Sequence, residues 1–67
     1  MSETLAEALP RELARAKALL LVYKEIGPAG AFGALMIAND IANAERAIAA
    51  QDIVAMLASY ETLQELK

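Results

Sequence analysis

Gly27–Gln51 reads G-P-A-G-A-F-G-A-L-M-I-A-N-D-I-A-N-A-E-R-A-I-A-A-Q. A Gly-Pro pair ends one helix and opens the next, because glycine accepts the left-handed stop and proline accepts the first helical position. Alanine dominates the residues after Pro28 and favours helix. At about 100° per residue, Gly30, Ala34, Ile37, Ile41, Ala44 and Ile48 share one face, spaced by threes and fours. The spacing predicts a central helix over 28–50. Gly30, Ala34, Ala38 and Ala42 form a ladder of small residues beside that face, so a neighbouring helix is expected to approach closely. Asn39, Asp40, Asn43 and Arg46 make the opposite face a solvated one. Phe32 and Met36 lie on that same outward side, one and two turns before Asp40, and require a cover. The arm before the first helix, through Leu5 or Leu9, a second subunit or a foreign protein are the three covers the sequence offers.

Upstream, a first helix is predicted over 10–26. Pro10 opens it, Gly27 stops it, and Leu9, Leu13, Ala16, Leu19, Leu20, Tyr23 and Ile26 form its core face. Residues 1–9 read as a short arm or a single helical turn, with Ser2 and Thr4 as alternative N-caps and Glu7 completing a capping box from Thr4. Downstream, Asp52 caps a last helix over 53–66 that buries Ile53, Met56, Leu57, Tyr60 and Leu63. Val54 and Leu66 fall off that core side. Short connections force sequential helices antiparallel, which gives an all-α, three-helix antiparallel bundle forming one domain over 1–67. Arg11, Arg15, Lys17 and Lys24 of the first helix are then expected near Glu61 and Glu65.

The chain has 67 residues, no cysteine and no histidine. At that length one core is marginal, and disulfides and the commonest zinc ligands are both absent, so self-association is the support left. A homodimer is the expected form. Leu21, Val22 and Val54 are its candidate residues, and Phe32 and Met36 are the candidates for an unidentified protein partner.

The net charge of -3 argues against nucleic acid and anionic membranes. Met1–Glu7 has no basic residue, unlike a targeting peptide. Ile26–Asn39, the longest uncharged run, is shorter than the roughly 18 apolar residues of a spanning helix, which leaves the cytoplasm as the expected location and no membrane partner.

Gly27-x-x-Gly30-x-x-Gly33 lacks the preceding strand of a dinucleotide fold and the Lys-Ser/Thr of a phosphate loop, so it reads as a helix stop and a packing surface. Asn39, Asp40, Asn43 and Glu45 match no calcium loop. No nucleophile has a histidine partner, and a non-catalytic protein without cofactor or metal is expected.

The run Leu21–Ile37, with Ala44–Ala47 and Asp52–Glu61, is similar to small helical proteins encoded in temperate bacteriophages and prophages. That resemblance carries neither an activity nor functional residues; it implies a phage setting, in which small acidic proteins act by binding host or phage proteins. Three functions are expected on these grounds: an interaction module working through apolar helix surface, a small DNA-binding regulator built on a helix-turn-helix with Arg11, Arg15 and Lys17, or a structural phage component.

Overall fold

A computed structural model describes residues 3–67; the N-cap candidate Ser2 lies outside the described residues. The fold is all-helical. Helix α1 spans Leu5–Ile26, a 3-10 turn spans Gly27–Gly30, α2 spans Ala31–Ala49 and α3 spans Ile53–Gln64. The 3-10 turn joins α1 to α2 without a non-helical residue, so the chain holds two continuous helical stretches, Leu5–Ala49 and α3, in place of three separate ones.

The first stretch folds back on itself. Straight, 45 helical residues would measure about 67 Å, whereas the longest dimension of the molecule is 38 Å. Lys17 meets Glu45 at 3.1 Å and Tyr23 lies against Gly30 and Gly33, which sets α1 and α2 side by side in opposite directions. Gly27, at φ +83°, supplies the left-handed residue at the bend. Close approach explains the next two glycines. A Cβ on Gly30 would lie 2.4 Å from the Tyr23 carbonyl oxygen, and one on Gly33 would lie 2.5 Å from the Tyr23 ring.

The N-terminal arm is a correction. Helix α1 begins at Leu5, with the Thr4 amide donating to Glu7 Oε1 at 3.4 Å and the Thr4 hydroxyl donating to the same oxygen at 2.8 Å. Pro10 is the sixth helical residue and deprives the Ala6 carbonyl of its donor, an interruption that disfavours helix by about 3 kcal/mol. Leu9 is completely buried, and burying such a side chain is worth roughly 1.5–3 kcal/mol. Core burial and the cap hold the helix through the proline. Leu9 therefore belongs to the core and does not cover Phe32.

The core joins Leu9, Leu13 and Ala16 of α1, Ile37, Ile41 and Ala44 of α2, and Leu63 of α3. Three expected core residues lie outside it: Ile26, Ile53 and Leu57 are all at least half exposed. For Ile53 and Leu57 the cause is the facing of α3, which turns Met56, Tyr60 and Leu63 inward; for Ile26 it is the length of α3. Twelve residues make about 18 Å of helix against about 33 Å for the 22 of α1. Leu63 and Leu66 carbonyls sit at Arg15, so α3 ends midway up α1 and never reaches Ile26. Leu66, expected off the core, turns in and packs against it.

The expected pairing with Glu61 and Glu65 is not what forms. Arg11 pairs with Glu3 and Glu12, Arg15 with Glu12 and Lys17 with Glu45. The Glu3 hydrogen bond raises the Arg11 pKa further above its already high ordinary value.

Candidate interaction surface

Among the described residues, five large apolar side chains are buried, namely Leu9, Leu13, Ile37, Ile41 and Leu63, eight more pack partly buried against the core, and nine are exposed. Six of the nine sit at the turn end of the α1–α2 hairpin: Leu21, Val22 and Ile26 on α1, with Phe32, Leu35 and Met36 on α2. No charged residue occurs between Glu25 and Asp40. The hairpin tip is therefore an apolar projection above the point where α3 stops. A tip of this kind is unusual for a monomer, whose exposed apolar side chains are normally scattered.

Phe32 is 75% exposed and Met36 52%, so among the described residues nothing in the chain covers this pair. Leu21 and Val22 are likewise exposed. Val54, the third candidate for self-association, is 79% exposed but lies at the start of α3, grouped with Ile53 and Leu57. The structure thus brings Leu21, Val22, Phe32 and Met36 to one end and leaves Val54 on another element. Leu35 and Ile26 were not legible as surface residues. Ile26 continues the core period of α1, and only the end of α3 reveals that nothing packs on it.

Two grooves flank the hairpin. One, about 470 Å³, runs between α1 and α2 at the tip; its walls are Tyr23, Lys24, Ala31, Ala34, Leu35 and Ala38, with Gly27 and Pro28 closing its end. Its lining is almost wholly apolar. The other, about 480 Å³, lies between α2 and α3 and is lined by Asp40, Asn43, Arg46, Asp52, Ser59 and Thr62 together with alanines. Arg46 there donates to Asn43. The hydroxyls of both tyrosines stay at the rim, Tyr23 donating to the Lys67 carbonyl at 2.8 Å and Tyr60 accepting from Gln64 Nε2 at 2.9 Å. No polar side chain is buried among the described residues, and none of their acidic groups cluster as metal ligands do.

The continuous stretch Leu5–Ala49 is long and apolar enough to cross a membrane by length and composition, since an 18-residue window reaches a mean hydropathy of 1.3 with at most two charges. Every window in that stretch with so few charges contains Pro28. The chain reverses there. No known protein family, curated protein or solved structure matches the chain.

Proposed function

We propose that this chain is a non-catalytic helical interaction module, a three-helix antiparallel bundle that binds another protein through the apolar tip of its α1–α2 hairpin. The observation that carries the reading is the cluster of exposed large apolar side chains, six of nine, at Leu21–Met36. Phe32 and Met36 are the partner-binding residues, because their outward position on α2 leaves them uncovered. A cytoplasmic location and a phage setting belong to this proposal; the reversal at Pro28, present in every low-charge window of membrane length, speaks against a single straight span. Against the regulator reading, the cations it would need are engaged within the chain: Arg11 with Glu3, Lys17 with Glu45, and Arg15 with Glu12 and two carbonyls of the α3 end.

The test compares Phe32→Asp and Met36→Asp with Ile41→Asp. Charges placed on an exposed face change stability by about 0.5 kcal/mol or less, whereas one placed on buried Ile41 unfolds the domain or costs several kcal/mol. Immobilised wild-type protein is expected to retain a host or phage protein that the two surface variants lose. Equal destabilisation by all three substitutions, or retention of the same proteins by wild type and variants, would reject the reading.

A further inference from the structure

We infer that the groove between α1 and α2 at the hairpin tip is occupied by a second copy of this chain, paired about a two-fold axis so that each Leu35 enters the other copy's groove. The inference rests on the proposed function, in which exposed apolar helix surface is the working part, and adds which occupant takes which face. Leu35 forms a wall of the groove, whereas Phe32 and Met36 lie outside its lining. Self-pairing through the groove therefore leaves that pair open to a different protein.

Surface area favours a second copy. A compact monomer of 7.1 kDa exposes about 4,100 Å², and this chain exposes 4608 Å². The excess is about 500 Å² per chain, or about 1,000 Å² for a pair, a surplus of exposed surface that reaches the scale of the smallest interfaces. Two hairpins laid face to face form a four-helix layer at the level where α3 is missing. A second copy thus supplies what the short third helix does not.

Charge agrees with a two-fold pairing. Lys24 lines the groove and Glu25 follows it; both are exposed, and neither forms an ion pair among the described residues. A two-fold pairing in which Lys24 of one copy meets Glu25 of the other makes that contact twice, since an isologous interface meets its own inverse. The fold also needs support. A chain this short, with five large side chains buried and eight partly buried, gains from a staple, and it has no cysteine and no metal-ligand cluster among the described residues. A second copy is the one partner present whenever the chain is.

Sedimentation equilibrium of the full chain from low to high micromolar concentration tests this. The expected mass is twice 7.1 kDa, with a micromolar dissociation constant suited to so small an interface. Leu35→Asp should give a monomer, while Phe32→Asp and Val54→Asp remain dimers. Lys24→Glu should weaken pairing roughly threefold to thirtyfold, as two surface ion pairs turn repulsive, and adding Glu25→Lys should restore it. Should Leu35→Asp lose its helical circular dichroism, the two charge variants decide, because their side chains are exposed.

A wild-type monomer at high micromolar concentration overturns the inference, as does a dimer that Val54→Asp breaks and Leu35→Asp does not, or a double charge variant as weak as the single one. A monomer that still captures a partner lost with Phe32→Asp overturns the second copy alone. A monomer that captures nothing removes both readings. Co-sedimentation of a wild-type monomer with phosphatidylcholine–phosphatidylserine vesicles, abolished by Leu35→Asp, would assign the groove to a lipid surface instead.

Discussion

Gln51 holds the only positive φ among non-glycine residues described, at 55°. It stands just past the end of α2, where the Gln51 amide donates to the Ile48 carbonyl and the Asp52 amide to that of Ala47. This is a Schellman ending, and it asks for glycine, because a Cβ in the left-handed region costs about 1 kcal/mol. Gln51→Gly is therefore expected to raise unfolding free energy by about 0.5–1 kcal/mol, read by urea denaturation. No rise would mean that the glutamine strain is offset elsewhere. The glycines of the bend behave in the opposite way. Gly30→Ala meets a backbone carbonyl that cannot step aside without parting the helices, and should destabilise by about 1–3 kcal/mol. Gly33→Ala meets the Tyr23 ring, which can rotate, so its penalty should be the smaller of the two.

At the scale of elements, α3 depends on a residue from another helix. Its last turn carries no basic side chain, and Arg15 of α1 takes that place, donating through one nitrogen to the Leu66 carbonyl at 2.8 Å and through another to that of Leu63. A cation on terminal carbonyls satisfies orphan acceptors and complements the helix dipole. Arg15→Gln should lower stability by about 1 kcal/mol and fray α3 first, seen as faster amide exchange over 60–64 than in α2. Uniform acceleration across all three helices would contradict it.

Arg15 was readable in the sequence only as one cation of four with acidic partners, because the register that brings it to a helix end is a long-range property. The helical periods of Ile37, Ile41 and Ala44 were readable, as was the Asp52 cap, whose side chain accepts from the Ala55 amide at 3.1 Å. Pro10 misled the reading, since local preference said stop and the burial of Leu9 said continue. The outward position of Phe32, Met36, Leu21, Val22 and Val54 followed from periodicity alone. The exposure of Ile26 did not, because a period shows which residues share a face and not whether a neighbouring helix is long enough to cover it; nor did that of Ile53 and Leu57, because packing on the core turns Met56, Tyr60 and Leu63 of α3 inward instead.

For the whole molecule, nine large apolar side chains stay exposed among the described residues, beside five buried and eight partly buried on the core, so stability and association should be linked. A ligand that binds only the folded state raises its stability by mass action, and a second copy is such a ligand at a concentration set by the protein itself. For a dimer unfolding to two chains, each tenfold rise in concentration adds about 1.4 kcal/mol per dimer, or about 0.7 per chain. A domain of this size shifts by roughly 4–8 °C per kcal/mol, which predicts about 3–6 °C in melting temperature per tenfold change. Calorimetry across two decades of concentration reads it. Leu35→Asp should melt at one temperature throughout, below wild type, while Phe32→Asp keeps the wild-type slope, since its side chain lies outside the groove. A wild-type melting temperature independent of concentration would mean that the small core stands alone. The apolar tip would then have to be explained without any contribution to the fold.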